Sequence, residues 1–144
     1  MAPEINNRKP YSGASVDLFA CGIILFIMVT QHPPFTKAIP DDPYYKLICI
    51  QKEDVFWKAH ARNKPNGEAF FSEEFKDLIT AMLQYEASDR PTMEQIMGHP
   101  WYTNSPCATI EEIGVEFDRR KTLVDAENEN KRIEREGERD LKKQ

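Results

Sequence analysis

The histidines, cysteines and paired acids of this chain are spaced against the chemistry such residues usually do. His32, His60 and His99 are followed by Pro, Ala and Pro, and none has a Cys, Asp or His neighbour at ligand spacing, so no metal site is expected. No G-x-S-x-G elbow presents a serine nucleophile. Glu73/Glu74 and Glu111/Glu112 are adjacent pairs on helical segments and point to different sides, which makes them poor acid/base partners. The six glycines, at 13, 22, 67, 98, 114 and 137, contain no G-x-G that could cradle a phosphate. The three cysteines, Cys21, Cys49 and Cys107, lie far apart and form no C-x-x-C. They read as small buried hydrophobes and one loop thiol in a reducing, intracellular and most simply cytoplasmic setting. A net charge of -5 excludes general nucleic-acid affinity, which needs clustered Lys and Arg. The charges that remain to be explained are Glu4, Asp17 and Arg90.

The element that must position them is the stretch 16–29. From Leu18 to Val29 it carries no charge. A helix apolar all round is buried on all sides, and this one is expected to be the core of the fold. As a membrane span the run is too short, with Asp17 at its edge, so no membrane association is expected. Ser15 is the expected N-cap, and Gln31-His32-Pro33-Pro34 ends the helix because proline removes a donor and blocks the preceding turn. At 144 residues and 40% hydrophobic content the chain can build one domain with a real core. It shows no secretory signal and no internal repeat.

Three smaller helices are expected around the centre. Asp42 followed by Pro43 starts one, with Tyr44, Leu47 and Ile48 as its apolar face. Lys52 to Gly67 reads as irregular, anchored by Phe56 and Trp57, with a turn at Asn66-Gly67. Ser72 starts the next helix, with Phe75, Leu78, Ile79, Met82 and Leu83 at core spacing. Thr92 and Gln95 form a capping box for the last, whose expected buried face is Met93, Ile96 and Met97 and whose stop is Gly98.

Beyond position 102 the composition changes. Thr109 and Glu112 make another capping box, and Ile110, Ile113, Phe117 and Val124 suggest one narrow apolar stripe. After Asn128 nearly every residue is polar, with pairs such as Glu127/Lys131 and Glu138/Lys142 to support an exposed helix. The expected organisation is a body at 1–102 and a charged tail at 103–144, helical or partly disordered. The fold class is mainly α.

Several motifs carry a resemblance to one family. Met1-Ala2-Pro3-Glu4 resembles the A-P-E motif that closes the activation segment of protein kinases. Asp17-Leu18-Phe19-Ala20-Cys21-Gly22-Ile23-Ile24-Leu25 resembles the D-x-W-x-x-G-x-x-L that opens the central helix of the C-terminal lobe. Pro33-Pro34-Phe35 resembles the P-P-F that follows it. Ser88-Asp89-Arg90-Pro91-Thr92 and His99-Pro100-Trp101 resemble the close of a Ser/Thr kinase domain, in the style of the calcium/calmodulin-dependent kinases. Phe19 stands where the family usually has Trp, and Gln31-His32 where it usually has Gly.

The resemblance implies a C-lobe fragment running from A-P-E to the end of the domain. It implies that Glu4 pairs with a buried Arg90, and that the Asp matching Asp17 accepts backbone hydrogen bonds from the catalytic loop. It implies a parent that transfers the γ-phosphoryl of ATP, with Mg²⁺, to protein Ser/Thr. The Gly-rich loop, H-R-D and D-F-G all precede A-P-E in kinases and none occurs in 1–144. The chain alone is therefore expected to hold no catalytic residue, bind neither ATP nor metal, and be inactive. Its partners would be the rest of the kinase domain, protein substrates or regulators. The alternative is a non-catalytic module that binds substrates or regulators through Tyr44, Tyr45 and Trp57. A regulatory role for the tail is a third reading; calmodulin is disfavoured because the tail mixes both signs and has few apolar anchors.

Overall fold

The computed structural model describes residues 1–104 and 106–141, which fall into two compact units, Met1–Ser105 and Pro106–Gln144. The first unit opens on α1, Pro3–Asn6, with Pro3 at a position where the missing N–H costs nothing. Then comes α2, Gly13–Thr30. Its N-cap is Ser12 rather than Ser15, because the Ser15 hydroxyl is engaged elsewhere, 3.4 Å from the Ala87 carbonyl and 3.2 Å from an Arg90 nitrogen. At its C-terminus Gln31 takes the left-handed conformation usually left to Gly (φ 62°), and Thr30 Oγ1 donates to the carbonyls of Phe26 or His32, each at 2.8 Å.

α2 is not buried all round. Phe19, Gly22, Phe26 and Thr30 form its buried face. On the opposite side Asp17, Cys21, Ile24 and Met28 recur at i, i+4, i+7 and i+11, all exposed, with Met28 at 74%. Cys21 is therefore no core residue. With 18 residues and a mean hydropathy of 2.1, α2 is also long and apolar enough to cross a membrane by composition alone. Length does not rule out a span; what argues for a core helix is the packing of its buried face.

Four more helices and two short 3₁₀ turns complete the connection to residue 98. α3 is Tyr45–Cys49, α4 Glu53–Ala61, α5 Glu73–Met82 and α6 Met93–Met97. The 3₁₀ turns are Gly67–Phe70 and Ala87–Asp89. α4 lies in a segment expected to be irregular. Its inward face is Phe56, Trp57, His60 and Ala61, a helical repeat that counts a histidine among its apolar members. Phe26 packs on Phe56, Trp57 and His60 at centroid distances of 6.0, 5.9 and 4.9 Å, and Trp57 continues onto Phe71 and Phe75. α5 is capped by Ser72, which accepts from the Phe75 N–H, and buries Phe75, Leu78, Ile79 and Met82. Gly22 sits where α2 and α5 meet: a Cβ there would lie 3.0 Å from Met82 Cβ and 3.2 Å from Leu83 Cδ2.

α6 has the expected Thr92–Gln95 capping box. Its expected buried face is not buried: Met93 and Met97 are exposed and Ile96 half-buried, since a five-residue helix has too few turns to bury a stripe. α7, Pro100–Asn104, was not foreseen. His99 links α5 and α7, with Nε2 3.1 Å from Asp77 Oδ2 and Nδ1 accepting from the Trp101 N–H. Seven α-helices and no strand occur among the described residues of this unit, where four helices were expected.

The second unit is one helix, α8, Ile110–Leu141, opened by the Thr109–Glu112 capping box. Ile110, Ile113, Phe117 and Val124 are all exposed. Glu127 and Lys131 pair at 2.6 Å; the Glu138/Lys142 pair lies partly outside the described residues.

Candidate functional site

The centre of the first unit's polar structure is Arg90, in the loop between α5 and α6. Its guanidinium meets Glu4 of α1 in a two-pronged pair, Nη1 to Oε1 and Nη2 to Oε2, both at 2.8 Å. The remaining donors are also used: Nε to the Gln84 carbonyl at 2.9 Å, Nη1 to the Ser15 carbonyl at 3.1 Å, and Nη2 to the Tyr85 carbonyl at 3.4 Å. The planar cation also lies over the Phe19 ring at 4.8 Å. Arginine suits this site because its fork matches a carboxylate while its face stacks on an aromatic ring. Both partners are buried, and the Arg90 hydrogen bonds hold the Glu4 carboxyl below its usual pKa although burial works the other way. One side chain thus joins α1, the first turn of α2 and the end of α5 across 86 positions of sequence.

Asp17 is brought to the neighbourhood but not into the pair. It is exposed, and no described residue hydrogen-bonds to its carboxylate. With Leu18, Cys21, Pro91 and Met93 it lines a groove of about 560 Å³ beside Arg90. Along α2 the groove reaches from the helix start to Cys21.

The residues expected to form a partner surface are separated by the fold. Tyr45 is fully buried, with its hydroxyl donating to the Leu83 carbonyl at 3.1 Å and its phenol pushed far up, chiefly by burial. Trp57 is 5% exposed, and its indole N–H donates to Thr80 Oγ1 at 3.2 Å. Only Tyr44 is exposed, so the three make no common surface. The physical reason is register: α3 buries Tyr45 and Ile48 rather than Tyr44, and Trp57 lies on the inward face of α4.

Asp42 and Pro43 were expected to open the helix, but α3 starts at Tyr45 with Tyr44 as its N-cap, and Asp42 acts from the turn before it. Its Oδ1 accepts from the Tyr44 and Tyr45 N–H groups and its Oδ2 from those of Thr36 and Lys37, at 3.0–3.1 Å. Burial raises its pKa, but the four N–H groups outweigh that and the net shift is downward. The carboxylate thereby fixes the loop after Pro34 against α3. A second cluster, His32, His60 and Lys64, was not singled out from the sequence. The spacing of His60 after Phe56 and Trp57 is the signal that could have found it.

Comparison with known proteins points to one family. The protein kinase domain family matches residues 1–102. A Dictyostelium discoideum protein named "Probable serine/threonine-protein kinase MARK-A" is 36% identical over 104 residues, covering 72% of this chain and 9% of its own length. CBL-interacting protein kinase 29 of Oryza sativa subsp. japonica is 31% identical over 102 residues, covering 71% of this chain and 20% of its own. CBL-interacting serine/threonine-protein kinase 13 of Arabidopsis thaliana is 32% identical over the same span, at 71% and 18%. A crystal structure of the Rad53 kinase domain and SCD2 in complex with AMPPNP aligns at 27% identity and a TM-score of 0.47, covering 75% of this chain and 39% of that one.

The chain belongs to the protein kinase domain family. Within it, residues 1–102 are similar to the C-terminal part of Ser/Thr kinase domains, from A-P-E to the domain's close. The chain spans no more than about a fifth of the length of these curated relatives.

Proposed function

We propose that residues 1–102 are the supporting half of a Ser/Thr kinase C-lobe, and that phosphoryl transfer requires residues outside 1–144. The parent reaction is transfer of the ATP γ-phosphoryl to a protein hydroxyl with Mg²⁺. The observation that carries this reading is the exposed face of α2. An unpaired carboxylate at Asp17 followed by Cys21, Ile24 and Met28 offers a hydrogen-bond acceptor and an apolar stripe to a segment that packs along the helix. In the family, the catalytic loop packs on that helix and donates backbone N–H groups to the matching Asp. The Glu4–Arg90 pair, by holding α1 to the helix, keeps the end of the activation segment in place for such a loop.

On this reading the chain's first partner is the rest of a kinase domain, and protein substrates come to the assembled lobe. The setting is intracellular. The module reading is weakened by the burial of Tyr45 and Trp57, which leaves Tyr44 alone on the surface.

The test is direct. Pure chain incubated with radiolabelled ATP, Mg²⁺ and a mixed Ser/Thr peptide pool gives no phosphate incorporation above the protein-free blank. Incorporation that tracks the chain through purification overturns the proposal.

A further inference from the structure

The end of α2 and the end of α4 meet through two imidazoles. His32, in the connection after α2, and His60, in the last turn of α4, lie with ring centroids 5.3 Å apart and planes within 20°. His60 is also packed on Phe26 at 4.9 Å, Phe56 at 4.4 Å and Tyr44 at 5.1 Å. It is 8% exposed, and its Nε2 has no hydrogen-bond partner. A buried polar atom left unpaired is costly, and a proton placed on it would add a buried charge with no acceptor at that nitrogen.

The surroundings are positive or neutral on every side. From the connection after α2 comes His32. From beyond the end of α4 comes Lys64, whose ammonium donates to the Thr30 carbonyl at 2.6 Å and lines the same cleft of about 280 Å³. Tyr44, before α3, contributes a neutral phenol, and α2 and α4 contribute Phe26 and Phe56. No carboxylate is among the groups acting on His60. A proton on His60 therefore meets burial, a second imidazole and an ammonium, with no anion to balance it.

We propose that the His32–His60 stack is an acid-sensitive latch that fastens the 31–44 connection to α4 while His60 is neutral and releases it when His60 takes up a proton. Burial first, and His32 next, hold the His60 pKa down at about 4, against a backbone contact from Pro34 that raises it. The unfolded value is about 6.5. The unfolded chain thus takes up the proton first, and stability that is complete above about pH 6.5 drains away as pH falls towards 4. Over that window the folded-to-unfolded ratio falls by up to roughly 300-fold through this one group (6.5 − 4 = 2.5 pH units).

The test uses the full chain. Urea unfolding is followed by tryptophan fluorescence between pH 7.5 and 4.5, for the native sequence, His60→Gln and His32→Gln. The native chain is expected to lose stability steeply, His60→Gln to lose the greater part of that slope, and His32→Gln to lose part of it. In parallel, the His60 ring protons are followed by NMR in the native chain, which needs no variant to fold. They are expected to titrate near pH 4, with the His32 and Tyr44 amide signals moving at the same midpoint. A His60 midpoint near 6.5, amide signals that do not move with it, or an unchanged pH slope in a folded His60→Gln variant overturns the latch.

Discussion

The unit Met1–Ser105 and the unit Pro106–Gln144 are both helical, yet different forces hold them. In the first, most helices are too short to stand alone in water, and four of them have five residues or fewer. They persist because an aromatic cluster runs from Phe26 through Trp57 to Phe75 at the centre of the unit, and because Arg90 and Asp42 gather loop ends that sequence keeps apart. In the second, α8 has 32 residues and every apolar member of its expected stripe is exposed. Its support is local: a capping box at Thr109 and ion pairs three or four residues apart, such as Glu116 with Arg119 and Arg120. Long-range contacts should therefore break the first unit without touching the second, and local changes should do the reverse.

The largest effect is expected at Arg90. Arg90→Met leaves Glu4 buried without its cation, a change that typically costs about 3–5 kcal/mol. Urea unfolding read by tryptophan fluorescence should show that loss, while the α8 amide signals in NMR stay in place. A shift of less than about 1 kcal/mol would mean that the pair orders the loops without stabilising them. Glu4→Gln combined with Arg90→Met should cost less than the sum of the two single changes, because the stranded charge is gone.

Next comes Gly22. Gly22→Val places new carbon where Met82 Cβ already stands 3.0 Å from an added Cβ, so α2 and α5 must separate at about 1–3 kcal/mol. Because Val is a better helix former than Gly, an isolated α2 peptide would gain from the same change. Destabilisation of the whole unit alongside that gain separates packing from propensity.

How much of this could be read beforehand follows the same division. Central helix, Ser72 cap and both capping boxes were legible, because each is written in a local pattern. The start of α2 was misplaced because Ser15 has a tertiary partner, which no local pattern records. α4 is not legible as a helix because Phe56 and Trp57 alone read as anchors of an irregular segment, and only the packing of His60 on Phe26 completes the apolar face at helical spacing. The link between Glu4 and Arg90 came from the family resemblance, since nothing within 86 residues of sequence announces it. Asp42 was legible as an acceptor near the start of α3, two residues ahead of the true N-cap Tyr44; its hold on Thr36 and Lys37 depends on a loop path that sequence leaves open.

Asp42 yields a smaller and pH-dependent break in the first unit. Its folded pKa is lowered, so its contribution is present above the unfolded value of about 3.9 and is lost as pH falls through the folded value. Asp42→Asn keeps one acceptor oxygen but turns the other into a donor facing N–H groups, for a loss of about 1–2 kcal/mol at neutral pH. The acid limb of the stability curve below about pH 4 should flatten in that variant. Asp41→Asn, at an exposed neighbour, is the control and should leave both readings unchanged.

The smallest effect belongs to α8, and it tests the other side of the contrast. Glu127→Gln removes one end of a pair with Lys131 whose partners are both more than half exposed, and should weaken the helix by less than about 0.5 kcal/mol. Thr109→Ala removes a cap and should cost about 1 kcal/mol of helix stability, read as lost NMR secondary shifts over 110–116. Salt discriminates between the two supports: near 1 M the screening length falls to ~3 Å, so ion pairs weaken while the cap does not. If α8 is held locally, salt should fray its middle, where Glu127, Glu129, Lys131 and Arg132 pair, before its capped start. Tryptophan fluorescence of the first unit should meanwhile hold constant, because the pair at its centre is buried away from the added ions. Uniform resistance of α8 to salt would instead place an apolar partner on Ile113, Phe117 and Val124, and the contrast between the two units would fail at that point.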